Sequence, residues 1–444
     1  MLRSSVFILL CFVFIGCVSN PSVSSLKIPP QDLMLYAKDE RVFKHSEALK
    51  QNYLKYFFSP FSKNIQHNAS DVQWGLKRAY EEVGFGENLL PYKKEFIDSI
   101  KEEMNLHNFP NTQKIAIVTR NTNLRVVPTH KPRFLEPSLP GEGFPFDTWQ
   151  NSSIYAGTPV LITHYSKSKK WAFVESGFVS GWVDVLDIAT LKPKQVKHLK
   201  NIKDFLVVRR DYASINSLNG YFLESARIGM LLPLVGSTKT SYEALFFARS
   251  YTGEAREHRV ILPIQDFARF PMTFSSTNYA NLVQGIIGEP YGWGGMFGNR
   301  DCSMFLHDSL GNFGFYLPRN SQAQMEQKNF EGELLYWDLS QKTPEEKIEF
   351  LKENAIPFAT LLGLKGHIML YLGVFEGEVL AVHDIWGLRT LQNQKEGREI
   401  LGRIIITPLD IGKDVQNISQ DSLLIKRING MRNLFRSNEF KNAK

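Results

Sequence analysis

The chain has 444 residues, 43% of them hydrophobic and 22% charged, a globular balance that excludes disorder over most of its length and, at roughly 150 residues per domain, predicts about three domains. The 52 Lys and Arg against 45 Asp and Glu leave a formal charge of +7, which favours approach to an anionic polymer or membrane surface. No dense basic block is interleaved with aromatic residues, which argues against nucleic acid as a partner.

Met1-Leu2-Arg3 starts the chain with one positive charge, residues 6–15 are apolar throughout, and Gly16-Cys17 closes the run. A basic start, a short apolar middle and a small residue at the cut form the layout of an export signal. The run is too short for a permanent span. Its ending resembles a bacterial lipoprotein signal, with Phe14 where Leu is usual. That resemblance implies a signal over residues 1–17, lipidation of Cys17, and a lipid-anchored protein of the cell envelope facing the periplasm. The three cysteines are Cys11, Cys17 and Cys302. Cys11 leaves with the signal and Cys17 takes the lipid, so Cys302 is the single remaining thiol. It can form no internal disulfide in an oxidising compartment and is an oxidation liability there, so its presence asks for a reason.

Residues 18–31 are rich in Ser and Pro and read as an extended tether. Residues 32–111 are patterned as a helical N-terminal domain. Trp74, Leu76, Ala79, Tyr80 and Val83 recur at helical spacing before a stop at Gly84, and residues 91–104 predict a second helix. From residue 112 to 190 the pattern turns to short β-branched runs between close turns, which predicts a small barrel. The order Gly157-x-Pro159-Val160-x-Ile162, Trp171-x-x-Val174 and Gly181-Trp182-Val183 resembles a bacterial SH3-like wall-binding barrel. Lys167-Ser168-Lys169-Lys170 reads as a solvated hairpin tip. Residues 191–203 are Lys-rich, contain Pro193 and read as a linker. A second β-rich stretch, 204–271, reads as another SH3-like barrel. Residues 275–435 mix helix and strand, with a helix over 278–287, and the polar last ten residues read as frayed.

The chemistry concentrates in residues 289–303. Four glycines, Gly292, Gly294, Gly295 and Gly298, fall within seven positions and permit tight turns and close approach of a ligand. Residues 302–313 then read as a helix, with Asp301 as N-cap and Cys302 in the first turn. Unpaired N–H groups and the helix dipole favour a thiolate there. Asp301 works against that charge, so it needs another task or a nearby imidazolium. A thiol nucleophile needs a base. His307 lies on the same helix, points elsewhere and reads as an ordinary half-exposed residue. His367 opens an apolar run and His383 ends another, with Glu376-Gly377 between them as a hairpin turn. Facing residues of a hairpin share a side. For the two imidazoles to do so, His383 must oppose an odd-numbered position, which requires an odd-length loop or a bulge. His367 can then take the thiol proton while His383 fixes its ring.

Pro290-Tyr291-x-Trp293-Gly294-Gly295, Asp301-Cys302-Ser303, Leu317-Pro318-Arg319-x-Ser321-x-x-Gln324, Gly366-His367-Ile368 and His383-x-x-Trp386-Gly387 together resemble the NlpC/p60 family of papain-like cysteine peptidases. Asn121-x-Asn123-Leu124-Arg125-x-x-Pro128-Thr129-x-Lys131-Pro132 resembles the start of the first barrel in its multidomain γ-D-glutamyl-diamino acid endopeptidases. The resemblance implies a multidomain chain: a helical N-terminal region, two small SH3-like β-barrels, and an α+β papain-like catalytic domain. It implies Cys302 as nucleophile, His367 as base, His383 as third polar residue and Tyr291 near the oxyanion. Asp301, Ser303 and Ser321 would hold the amino end of a peptidoglycan stem peptide, with Trp293 beside them. The implied reaction is hydrolysis of the D-γ-glutamyl–diaminopimelate bond by a monomer, without cofactor. No Cys/His cluster has metal-ligand spacing. Two rivals remain: an amidase or acyltransferase using the same Cys/His pair, and a non-catalytic wall-binding scaffold.

Overall fold

The computed structural model describes residues 26–39 and 41–441. The expected signal, Cys17 and most of the expected tether lie outside the described residues.

Residues 114–190 form a seven-stranded antiparallel sheet running Gln150–Ile154, Thr122–Arg125, Ser180–Asp184, Trp171–Glu175, Pro159–Tyr165, Lys114–Val118, Ile188–Thr190. Its strands are buried on both faces. Ala116, Val118, Leu124, Val160, Ile162 and Val174 fill one side. Val126, Trp149, Trp171, Phe173 and Trp182 on the other side pack against Leu76, Ile97, Ile100 and Met104. Those four residues come from the helices Trp74–Glu81 and Lys94–Met104. Each such side chain is worth about 1.5–3 kcal/mol when removed from water, so the two helices serve as a lid on the first barrel. Leu76 is buried as the periodicity requires, but Trp74, Tyr80 and Val83 are exposed. The helix ends at Glu81, so the spacing beyond it no longer describes one face.

The rest of the N-terminal region belongs elsewhere. Residues 26–31 are not a free tether. Leu26 is buried with the C-terminal domain, and the Gln31 amide donates to the Ile406 carbonyl while accepting from the Ile406 N–H, both at 2.9 Å. Val42–Phe43 pairs antiparallel with Phe440–Lys441. Hence the polar tail is not frayed as far as Lys441: Phe440 packs on Phe435 and Phe43. The helix Ser46–Phe57 buries Leu49 and Tyr53.

The expected linker contains a helix, Pro193–Asn201. Pro193 stands at the first position, where no N–H is required of it and its fixed φ suits the helix. The second barrel follows as a five-stranded sheet ordered Ala255–Pro263, Ser241–Arg249, Leu231–Ser237, Phe205–Val208, Phe267–Arg269, with a ribbon of Ser214–Asn216 and Phe222–Ser225. Its interior (Leu206, Val208, Leu232, Phe246, Val260, Phe267) is continuous with that of the C-terminal domain.

That last domain has a six-stranded antiparallel sheet ordered Tyr336–Asp338, Ile428–Asn433, Thr360–Leu364, His367–Phe375, Glu378–Gln392, Lys395–Pro408. The helices Ser276–Gln284 and Cys302–Gly311 contribute to the same core as one face of the sheet. All ten residues of Cys302–Gly311 are buried, so the helix lies inside the molecule. The fold class is therefore as expected: a helical N-terminal region, two SH3-like domains, and a mixed helix and sheet domain that carries the motifs.

Candidate active site

Cys302 is the first residue of its helix. Asp301 is extended at the N-cap (φ −104°, ψ 179°) and its carboxylate accepts the Met304 N–H at 2.9 Å. An N-cap acid closes one of the unpaired donors and fixes where the thiol starts. The Ile368 backbone acts on the Cys302 thiol and lowers it, against the larger effect of burial. This sets the thiol against the first residues of the strand His367–Phe375.

The hairpin supplies the register that the imidazoles need. Phe375 pairs with Glu378 around the two-residue turn, but the register shifts between Tyr371 and Gly373, so that Leu370 faces Val382. One step further His383 faces the odd-numbered Met369, on the side of His367. A bulge therefore does what a plain turn cannot. His367 Nε2 lies 2.7 Å from His383 Nδ1, and His383 Nε2 lies 3.0 Å from Thr407 Oγ1. In the neutral tautomers each Nε2–H donates to the next member, which leaves His367 Nδ1 free to accept.

Burial, reinforced by Asp301, pushes the Cys302 thiol up to about 12. Burial, and then the charge of Arg427, pulls His367 down to about 3. The resting pair is a neutral thiol and a neutral imidazole, not the ionised sulfur that the helix start alone predicts. Desolvation outweighs the dipole here.

Asp301 is also placed differently from expectation. Its offsetting charge is neither an imidazolium nor an open ligand site, but Arg319. Arg319 Nη1 and Nη2 donate to its two oxygens at 3.0 and 2.7 Å. Ser303 Oγ, the Gly294 N–H and the Met304 N–H complete five donors. A carboxylate offers about four lone-pair sites, so an incoming ammonium would have to displace one of them. Burial opposes the charge, but Arg319 more than offsets it and holds the carboxyl below its usual range. Ser303 Oγ also accepts from Arg319 Nη1 at 2.8 Å. Burial, with Asp301 and Cys302 adding to it, raises Tyr291, so its hydroxyl stays protonated. Trp293 Nε1 donates to the Asp147 carbonyl at 3.0 Å. Ser321 begins the helix Ser321–Glu326.

A cleft of about 630 Å³ runs over Cys302. The C-terminal domain contributes Tyr291, Trp293, Asp301, Ser303, Arg319 and Ser321; the first barrel contributes Gln150, Glu175 and Phe178; the N-terminal region contributes His67, Trp74 and Arg78. The glycine pair makes this closure possible. Gly294 and Gly295 have φ of +59° and +84°, and a Cβ on Gly295 would lie 2.3 Å from Ser153 Oγ. Gln150 Nε2 donates to the Gly294 carbonyl at 2.9 Å, and Arg319 Nε to Ser152 Oγ at 2.7 Å. A second cleft of about 520 Å³ shares Ser321 and Gly366 with the first and contains His367, Glu326, Tyr336 and Lys365.

Several of these groups escape a reading of the sequence. Arg319 is inside a quoted motif, but nothing local marks its partner. Thr407 has no signal beyond its alternation with His383's neighbours. Trp74, 51% exposed, is spaced like a core residue. His67 bonds through Nδ1 to Glu175 and through Nε2 to Ser180, both at 3.1 Å. His307 is buried, with Nδ1 2.6 Å from the Leu317 carbonyl and its ring stacked on Phe178, so it is not the half-exposed residue expected.

A thiol at a buried helix start, a hydrogen-bonded imidazole pair on the neighbouring antiparallel sheet and a barrel wall over the cleft define a class of catalytic domain with SH3 modules. Family models match along the chain: the NLPC_P60 stabilising domain, N term, over residues 6–109; an SH3 domain of SH3b1 type over 132–184; an SH3 domain of SH3b2 type over 193–239; and the NlpC/P60 family over 288–395. Residues 288–395 thus form a domain of the NlpC/P60 family, in a multidomain chain with two SH3 domains. A novel NlpC/P60 endopeptidase from Photobacterium damselae subsp. piscicida is similar to it, with 25% identity and a TM-score of 0.80 over 92% of this chain and 98% of that one. An NlpC/P60 family protein from Bacillus cereus shares 17% identity, with a TM-score of 0.49 over 72% of this chain and 100% of that one. No curated protein matches the chain.

Proposed function

We propose that the chain is a cell-wall peptidase that hydrolyses the D-γ-glutamyl–diaminopimelate bond of peptidoglycan stem peptides, with Cys302 as nucleophile and His367 as base. The observation that carries this reading is the line Thr407–His383–His367, whose last member begins the strand on which the next residue, Ile368, acts through its backbone on the Cys302 thiol. Cys302 attacks the γ-glutamyl carbonyl while His367 Nδ1 takes its proton. The resting pair is neutral, so proton transfer accompanies attack as general-base catalysis. The oxyanion meets the Cys302 N–H and the Tyr291 hydroxyl. His367 then protonates the departing amine, and water resolves the acyl-enzyme by the same route.

The direction of the substrate follows from the proton. The leaving amine must reach His367, and the cleft that contains His367 also holds Glu326 and Lys365, suited to the ammonium and carboxylate of a diamino acid. The acyl half occupies the cleft over Cys302. Ser303, Ser321 and Trp293 line that cleft and are proposed to hold the stem's amino end. Asp301 then acts with Arg319 as one unit rather than alone.

We also propose export and a lipid anchor on Cys17.

Mass spectrometry of stem peptides incubated with the wild type and with Cys302→Ala tests the reaction. We expect the wild type to release L-alanyl-D-glutamate from the free tripeptide stem, with diaminopimelate as the other product, and the variant to release neither. Cleavage at the sugar–peptide amide instead would replace this proposal with an amidase.

A further inference from the structure

No residue of the second barrel lines the cleft over Cys302, yet its core is continuous with that of the catalytic domain. At the boundary lies a buried charge cluster. The Arg300 side chain is 0% exposed and that of Asp211, from the second barrel, 3%. Arg300 Nη1 and Nη2 donate to the two oxygens of Asp211 at 2.7 and 3.2 Å, and Nη2 also donates to the Ile228 carbonyl at 3.1 Å. On the catalytic side, Nη1 donates to Glu289 at 2.9 Å and Nε to Asp308 at 2.7 Å. Every guanidinium nitrogen is held, and the barrel supplies the fork that sets the plane.

The backbone of this same residue builds the site. Arg300 immediately precedes Asp301 and Cys302. Its carbonyl accepts the Gly292 N–H at 2.6 Å, and it bridges Tyr291 across the turn. Asp211 also faces Arg227, whose Nη2 lies 3.3 Å away and whose guanidinium has no hydrogen-bond partner among the described residues. One carboxylate of the second barrel therefore touches both buried cations, one of which is continuous with the nucleophile turn, and shares their charge with Glu289 and Asp308.

We infer that the second barrel acts on catalysis through Asp211, a positioning residue that fixes Arg300 and thereby the spacing between Tyr291 and Cys302. The inference rests on the proposed role of Cys302, but its test does not depend on the substrate. Loss of the fork leaves Arg300 to Glu289, Asp308 and the Ile228 carbonyl, which shifts its plane and the turn, and a misplacement on the order of 1 Å costs about 100-fold in rate.

A second contact of the same barrel serves as control. Asn312, just past the far end of the nucleophile helix, donates to the Val208 carbonyl at 2.7 Å and accepts the Gly229 N–H at 3.3 Å. The experiment uses the full chain with Asp211→Asn, Asp211→Glu and Asn312→Ala. It reads kcat and KM on the synthetic tripeptide stem, the rate of Cys302 alkylation by iodoacetamide, and the thermal midpoint. Asp211→Asn is expected to lower kcat about 10- to 100-fold with KM within about twofold, and to change the alkylation rate at least about threefold. Asn312→Ala is expected to lower the midpoint while leaving kcat and alkylation within about twofold. Asp211→Glu keeps the charge but displaces the carboxylate by one methylene, and is expected to fold with an intermediate kcat. It carries the test alone if Asp211→Asn does not fold. Wild-type kcat and alkylation in a folded Asp211 variant, or equal losses in Asn312→Ala at matched midpoint, would overturn the inference. Should the wild type leave the tripeptide uncut, the alkylation comparison still decides the question, and only the substrate reading fails.

Discussion

Arg319→Met removes the two donors that neutralise a buried carboxylate and leaves Asp301 with the Gly294, Ser303 and Met304 donors. Arg319 and Asp301 side chains are 9% and 12% exposed. Two unit charges about 4 Å apart interact with roughly 4 kcal/mol at an effective dielectric constant of about 20. Breaking a buried pair by deleting one partner costs about 3–5 kcal/mol. We therefore expect the variant to lose about 3–5 kcal/mol at pH 7, measured by the denaturant midpoint. The pH dependence distinguishes this cause from lost packing. In the wild type Asp301 is held below its unfolded value, so its contribution is present above about pH 4 and is lost as the pH falls through the folded value. In the variant Asp301 is buried without its cation and its pKa rises above the unfolded value, so the folded variant takes up a proton first and gains stability on acidification. The deficit should shrink between pH 7 and pH 4. It should also nearly vanish in an Asp301→Asn background. A deficit under about 1 kcal/mol, or one that does not change with pH, would refute the reasoning. Arg319 also lowers the thiol, so iodoacetamide should react more slowly with the variant.

Three further outcomes follow from the same geometry. His383→Ala removes the 2.7 Å partner of His367 and should lower kcat about 100-fold or more, while Thr407→Val, which loses one neutral hydrogen bond worth about 1 kcal/mol, should cost about fivefold; equal effects would break the proposed order of the line. Because burial takes His367 to about 3, the acid limb of kcat/KM should lie well below pH 6.5, and a limb at 6–7 would show an ordinary imidazole. The sign for stability is opposite to that of a salt-bridged histidine: the unfolded chain takes up the proton first, so stability falls as the pH drops from about 6.5 towards 3, and the profile must be taken on folded protein. Gly295→Ala places a Cβ against Ser153 at a φ of +84° and should cost about 2 kcal/mol or more through strain and overpacking, with a higher KM as the barrel wall shifts; an unchanged KM would mean that the first barrel does not shape the cleft.

The parts of the site that the sequence made legible are local. Asp301 and Cys302 could be placed at a helix start because N-cap chemistry acts within three residues. The side shared by His367 and His383 could be posed as a parity condition because strand side chains alternate with period two. The location of the bulge that satisfies it, at Leu372, could not, since Glu376-Gly377 alone reads as a regular turn. Pro193 reads as part of a linker but opens a helix, because a proline at the first helical position and a proline in a linker look alike along the chain. Residues 26–31 close the Ser- and Pro-rich segment with Pro29-Pro30, but Gln31 finds the Ile406 backbone some 375 positions away.

By itself, then, the sequence determined the order of modules, the lone thiol and its helix start, and the two imidazoles able to serve it, since each rests on short-range periodicity or a contiguous motif. Only the tertiary structure decided the protonation of the pair, the partner of Asp301, and the walls of the cleft. Those depend on desolvation and on contacts between residues far apart in the chain. Arg319 reaches Asp301 and Ser152 together, Trp74 and Glu175 converge over Cys302, and Asp211 meets Arg300 from another domain. Burial and long-range charge pairing belong to the packed whole, and no local pattern encodes them.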